Sequence, residues 1–508
     1  MRWIRTISAQ TEETAETLGG KARGLVVLHR LGLPVPAGFV ITTEACRAFL
    51  RTGRLPEGLD DELATAMADL ELATGRSFGR PQKPLAVSVR SGAGVSMPGM
   101  MSTILNLGLT TEATEGLAAE TDDRQFARNS RQRFLSSFAS AIPEWDVDSD
   151  QPVHEDASRQ VELAVKAVFS SWDAPRARTY RELNDIPHNL GTAVIVQQMV
   201  FGNRDDRSGS GVAFSRDPNT GENIPFGEVL FGHQGEDVVS GRAMTRPLRE
   251  LAEREPAVWT KLLDALRRIE GHYRDACYVE FTVQSGELWI LQVRPGRFIG
   301  GAAVRVATEL VDERILERHE ALLRVSAQNL RHVRTPRIAS TEETDVLARG
   351  IGACPGVAAG RIATTADGAV RMGRAGPVIL VRPETSPNDM HGLAAAAGIV
   401  TARGGPASHA AVVARAMGKP AVVGVAGLTV HHDDGSVTVG DRTIGDGTLV
   451  TIDGTSGEVA LGTPRVVADA ADEHVHRLLA WADDVSGDHS AREETQRLEA
   501  AHAALRHC

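Results

Sequence analysis

The chain is poor in cysteine and in aromatic residues, with four Cys and 4% Phe, Trp and Tyr together. Cys46, Cys277, Cys354 and Cys508 are scattered without paired spacing. That excludes a zinc motif or a disulfide framework and makes buried or spectator thiols the expectation. No stretch approaches the ~18 uninterrupted apolar residues of a membrane span. The N-terminal MRWIRTISAQTEE has no apolar segment between its basic start and acidic continuation, so no leader and no membrane contact are expected, and the reading is soluble and cytoplasmic. Positive charge is not in excess either: 55 Lys and Arg stand against 66 Asp and Glu, a net charge of −11. This excludes a general nucleic-acid surface but allows a local basic pocket for a nucleotide. GxxxxGK[ST], GxGxxG and GxSxG are all missing, so the phosphate loop, dinucleotide fingerprint and nucleophile elbow built on them are excluded.

What the chain has in excess is glycine, 50 of 508 residues, about a tenth against a typical ~7%. Many backbone positions must therefore turn sharply or approach a ligand closely. The length suits two to four domains, and 42% hydrophobic with 24% charged residues is the globular norm. Residues 19–44 read as a glycine turn, a helix (KARGLVVLHRLG) and a Pro-rich passage into a strand. A strand from Leu85 to Val89 runs into a glycine loop. Periodic segments between about 111 and 185 (RNSRQRFLSSFASAI, ASRQVELAVKAVFSSW) read as helices. Short strands with glycine punctuation continue to about Arg297. The expected order is an α/β domain over 1–300, a helical connector over 301–345, a smaller glycine-rich domain over 346–465, and a helical tail over 466–508.

Three segments carry chemistry. In TARGGPASHAAVVARAMGKPAVVG an apolar strand meets Gly404 and Gly405, and Ser408 and His409 then open a helix. A helix N-terminus presents unpaired N–H groups and about half a positive charge, which keeps an imidazole neutral and nucleophilic and favours a phosphoryl anion on it. A capping-region histidine beside a tight turn fits the same letters, and Ser408 is equally a plain N-cap. The hairpin YVEFTVQSGELWILQVRPG is the second. A three-residue loop of Ser285, Gly286 and Glu287 sets Glu280 opposite Gln292 and Tyr278 opposite Arg294. Glu280 and Gln292 then offer two oxygens to a hard cation such as Mg²⁺, or else form part of a solvated polar face. The third is SGAGVSMPGMMST after Arg90, whose N–H groups could wrap phosphate, with Lys21 after Gly19 and Gly20 at a helix start. HHDDG reads as a polar turn, and His474 with His476 as part of a solvated helix.

These strings, with LGGKARGL, LGLPVPAGFVITTEAC, SVRSGAGVSMPGMMSTILNLGL, GTAVIVQQMVFGN, GVAFSRDPNTGEN, GEDVVSG and LVRPETSPNDM, resemble the pyruvate phosphate dikinase family from about Leu18 to Asp484. The resemblance implies an α/β multidomain fold: an ATP-grasp-like nucleotide-binding domain, then a swivelling β/α domain with a phosphorylatable histidine. It implies ATP as substrate with Mg²⁺ as cofactor. The β-phosphoryl of ATP reaches the histidine and the terminal phosphoryl reaches inorganic phosphate. Carried over by motif, the histidine is His409, within the loop of Gly404, Gly405 and Ser408. Lys21, Arg90, Gly99, Met101, Thr103 and Arg294 match ATP positions, and Glu280 and Gln292 match metal positions.

Three departures accompany the resemblance. Tyr278 stands where the family has an acidic residue, and Ala407 where it has a regulatory threonine. The chain stops near where the family's pyruvate/phosphoenolpyruvate barrel would begin, so a separate barrel protein is the implied partner and a homodimer is left open. A phosphotransferase with another acceptor, or a nucleotide-binding regulatory module without turnover, remain alternatives.

Overall fold

The structure, a computed structural model, describes residues 2–95, 97, 100–142, 155–240, 245–296, 298–333, 336–339, 344–431, 435–468 and 473–506. It is mixed α/β and divides into two compact units, Met1–Gly209 with Phe281–Val293, and Ser210–Glu280 with Arg294–Cys508.

In the first unit five antiparallel strands lie in the order Ile4–Thr6, Gly38–Ile41, Ala193–Gln198, Val87–Gly92 and Thr103–Leu107. The apolar stripe expected in ASRQVELAVKAVFSSW is the buried face of the helix Ala157–Ser171, whose Val161, Ala164, Val165, Val168 and Phe169 recur at helical spacing. They share a core with Phe49, Phe134, Phe138, Val87, Val89, Val194 and Val196. Asp156 caps this helix through the Arg159 N–H.

In the second unit an eight-stranded sheet has four parallel members in the order Val357–Ala363, Val378–Arg382, Gly398–Thr401 and Ala421–Val423. Alternation sends Val378, Leu380 and Ile399 into one core and Ile379, Val381 and Val400 into another, so both faces are covered. Packing also groups segments across the composition boundaries at 345 and 465. The helices Gly300–Asp312, Arg318–Arg324 and Ala327–Arg331 share one apolar cluster with Glu473–Ser486 and Glu494–Arg506. His474 is therefore not on a solvated helix: its Nδ1 lies 2.7 Å from the Thr308 hydroxyl. Arg216, fully buried, is held by Glu270 and Glu313 at 2.7 Å each and by Glu309 at 3.1 Å. Its guanidinium ties the helix Pro256–Tyr273 to Gly300–Asp312.

The described cysteines, Cys46, Cys277 and Cys354, are buried and unbridged. Burial pushes each thiol up to about 12, which keeps them protonated and unreactive. Cys508 lies outside the described residues. No described helix is long and apolar enough to cross a membrane.

Candidate functional site

In the first unit the loop after Arg90 and the turn before Lys21 meet backbone to backbone. Gly19 interrupts the helix Ala15–Arg30 at φ 76°, so Lys21 begins a second helical stretch. The Gly20 N–H donates to the Ala93 carbonyl at 2.9 Å. A Cβ on Gly19 would sit 1.6 Å from the Gly92 carbonyl oxygen, and one on Gly92 would lie 3.7 Å from Lys21 Cβ. Arg90 lies opposite Thr103 in the ladder, and its guanidinium donates to the Gln197 side-chain oxygen. Gln197 is itself fixed by donating to the Pro36 carbonyl at 2.9 Å. Lys21, Arg90 and Thr103 thus come from neighbouring elements of one unit. Met101 precedes Thr103 just outside the strand, and Gly99 lies outside the described residues.

The hairpin differs from expectation in two ways. Cys277–Gln284 and Glu287–Pro295 leave a loop of two residues, not three: Ser285 and Gly286, with φ of 52° and 80°. Both values are positive, as a type I′ turn requires. The tip is clamped by the Ser285 N–H to Ser208 Oγ at 2.9 Å and the Gly286 N–H to the Arg207 carbonyl at 3.1 Å. A one-residue change in loop length shifts every opposed pair, so direct opposition of Glu280 and Gln292 does not follow from the turn. The polar alternation is also not a solvated face, because Tyr278, Thr282 and Gln292 are buried. Gln292, in the first unit, keeps a buried Nε2 without a hydrogen-bond partner among the described residues. In the second unit Glu280 lies 3.7 Å from Arg294.

The histidine site is built from the carboxyl ends of two adjacent parallel strands, where crevices in α/β sheets form. Gly398–Thr401 leads through Gly404 (φ 97°) and Gly405 to Ser408, which caps the helix His409–Met417 by accepting from the Ala411 N–H. Val378–Arg382 leads to Thr385, whose hydroxyl lies 3.0 Å from His409 Nδ1. Nε2 of His409 is buried and has no partner among the described residues. Burial pushes the imidazole down to about 4 against a smaller opposing pull from Asp389. The ring is therefore neutral at physiological pH. When Nδ1–H donates to Thr385, the lone pair that remains for attack is on Nε2.

Glu228 and Arg415 hold this loop in place. The buried Glu228 carboxylate accepts the Ala407 N–H at 2.9 Å and the Thr245 hydroxyl, and Arg415 donates to the Pro406 carbonyl and, at 2.9 Å, to the Ala353 carbonyl. Thr385, Glu228 and Gln197 act through partners far away in sequence. The one local signal was a polar residue in strand phase at Gln197 and in the quoted string at Thr385.

The depressed imidazole has a consequence for stability. Its unfolded counterpart titrates near 6.5 and takes up a proton first as pH falls. The stability is therefore complete above about 6.5 and drains away as pH drops toward 4, by on the order of 3 kcal/mol. Denaturant titrations from pH 7 to 4 should show the unaltered chain losing that much more than His409→Gln. Parallel curves would contradict a buried neutral imidazole.

Comparison with known proteins places this arrangement in a class. Residues 15–74 and 50–248 match the family described as "Pyruvate phosphate dikinase, AMP/ATP-binding domain", and residues 375–457 match "PEP-utilising enzyme, mobile domain". The chain is 41% identical over 510 residues to "Pyruvate, phosphate dikinase, chloroplastic" of Flaveria bidentis, covering 92% of this chain and 53% of that protein. It is 38% identical over 527 residues to "Pyruvate, phosphate dikinase" of Clostridium symbiosum, covering 95% and 60%, and 40% identical over 522 residues to the protein of that name from Giardia intestinalis, covering 94% and 59%. The chain belongs to the pyruvate phosphate dikinase family and spans between half and three fifths of the length of these relatives.

Proposed function

We propose that the chain is an ATP-dependent phosphotransferase that phosphorylates Nε2 of its own His409. The observation that supports this most is the state of that nitrogen: buried, without a partner among the described residues, on a neutral ring whose Nδ1 is engaged by Thr385. ATP, inorganic phosphate and the imidazole yield AMP, diphosphate and phosphohistidine. The N–P bond forms as the bond between the α- and β-phosphoryl groups breaks, and phosphate takes the terminal phosphoryl. Residues 1–300 bind ATP in an ATP-grasp-like manner through Lys21, Arg90, Gly99, Met101, Thr103 and Arg294, with 346–465 as the swivelling phosphohistidine domain. Cationic side chains along the phosphates stabilise charge as it moves between oxygens.

Mg²⁺ fits the donors available. A carboxylate and an amide are hard oxygen donors, and Mg²⁺ takes one or two protein oxygens and completes its shell with phosphates and water. Glu280 and Gln292 would hold it, and it would neutralise developing phosphate charge. Glu280→Ala is expected to lower the labelling rate of His409 by roughly 100-fold, partly restored by raised Mg²⁺. Normal labelling would remove Glu280 from the metal site.

The phosphoryl on His409 is then passed on in the interconversion of pyruvate and phosphoenolpyruvate, to an acceptor bound by a pyruvate-binding barrel outside these residues. AMP release from ATP that requires both Mg²⁺ and phosphate tests the first half. Its absence under all conditions would favour a nucleotide-binding module without turnover, a reading to which the apolar burial of Tyr278 lends weight.

A further inference from the structure

Two positions at which this chain departs from the resemblance, Tyr278 and Ala407, pack in one apolar cluster of the second unit with Val212, Phe214, Leu230 and Val238. They are 129 residues apart in sequence and belong to different elements. Tyr278 lies on the strand Cys277–Gln284, and Ala407 is in the glycine loop two residues before His409. Ala407 is fully buried and Tyr278 is 8% exposed. The phenol ring meets Phe214 edge to face, with centroids 5.0 Å apart and planes at 61°, the preferred geometry for an aromatic pair. The Phe214 ring is also engaged from the histidine helix itself, since the Arg415 guanidinium lies 5.5 Å from its centroid. The loop therefore shares one apolar cluster with the ring pair through Ala407, and the helix that follows reaches Phe214 through Arg415.

A methyl group has no rotamers, so its contact with a rigid ring transmits position directly. The Ala407 N–H is held by Glu228 while its methyl group lies in the apolar cluster. We propose that Tyr278 is a positioning residue for His409: its ring, braced by Phe214, is the seat on which Ala407 rests, and it sets where the loop presents the imidazole. The proposal rests on the phosphotransfer reading above for its effect on rate, but the seat itself can be measured without turnover. It assigns the ring and not the hydroxyl, which separates it from a role for Tyr278 as a ligand of nucleotide or metal.

The test compares Tyr278→Phe, Tyr278→Ala and Ala407→Leu in the full chain. Tyr278→Phe should keep the maximal rate of His409 labelling from ATP within about twofold. Tyr278→Ala and Ala407→Leu should each lower it roughly tenfold or more, with the KM for ATP unchanged within about twofold, because misplacement affects the step and not nucleotide binding. Amide hydrogen exchange at 405–409 should rise roughly tenfold in both variants while that of Val378–Arg382 stays constant. Should the unaltered chain prove unable to label, which would sink the phosphotransfer reading, the exchange measurement still decides whether the seat exists. A loss in Tyr278→Phe equal to that in Tyr278→Ala would overturn the proposal in favour of the hydroxyl, and unchanged exchange at 405–409 would overturn it outright. If Tyr278→Ala does not fold, Ala407→Leu carries the same two outcomes.

Discussion

Gly405→Ala should slow phosphorylation of His409 by roughly 100-fold or more at saturating ATP while leaving ATP affinity within about twofold. A Cβ built on Gly405 falls 1.6 Å from Glu228 Oε2 and 2.5 Å from its Cδ, distances at which something must move. Glu228 is not a flexible surface side chain that can swing aside. It is 2% exposed, accepts from the Ala407 N–H and the Thr245 hydroxyl, and would leave buried donors unpaired if it turned away. The loop must then shift, carrying with it the histidine that begins the next helix. Rapid-quench labelling beside ATP titration separates the two effects. A Gly405→Ala chain that labels at the normal rate would mean that the seat of the loop does not govern the step.

The second large effect concerns stability of the first unit. Gly19→Ala should cost the first unit roughly 3–5 kcal/mol, read as a lowered urea midpoint, and should weaken ATP binding because Lys21 begins the helical stretch two residues on. Two causes act together: φ is 76°, and the new Cβ would lie 1.6 Å from the Gly92 carbonyl oxygen and 2.5 Å from its carbon. Gly53→Ala is the control. Gly53 also has a left-handed φ, 69°, but nothing among the described residues lies within 4 Å of its Cβ position, so only the conformational cost of about 1 kcal/mol is expected. Equal losses in the two variants would show that close backbone approach at Gly19 adds nothing.

Both predictions turn on glycines, and the glycine excess was the most legible feature of the sequence. It pointed to the loop after Arg90, the turns from Gly209 to Gly235 and the turn before His409; a Cβ on Gly227 would meet the Val212 carbonyl and one on Gly405 the Glu228 carboxylate, whereas Gly232 and Gly235 have nothing within 4 Å among the described residues. The helix opened by Ser408 was legible for a similar reason, because capping and apolar spacing are local. What escaped were residues whose roles are set by a distant partner. Thr385 acquires its meaning only when two parallel strands bring it to His409, and Glu228 only when the glycine loop settles against it. The hairpin failed for a subtler reason. A loop of two residues or of three fits the same letters, and the clamp on Ser285 and Gly286 from 207–208 goes with the shorter one; opposed pairs depend on that single residue. The unit boundary was equally unreadable, because it cuts through both hairpin strands and leaves Glu280 and Arg294 in one unit and Gln292 in the other. Composition marks linkers well, but it carries no signal for a division that runs along a strand.

Phosphoryl transfer from ATP to Nε2 of His409, as proposed, is open to one direct measurement. Incubating the chain with Mg²⁺, phosphate and ATP labelled at the β-phosphorus, then locating the label, tests it directly. One acid-labile, base-stable phosphoryl per chain is expected on His409, lost in His409→Ala. Label that persists in His409→Ala, or none in the unaltered chain under any condition, would contradict it.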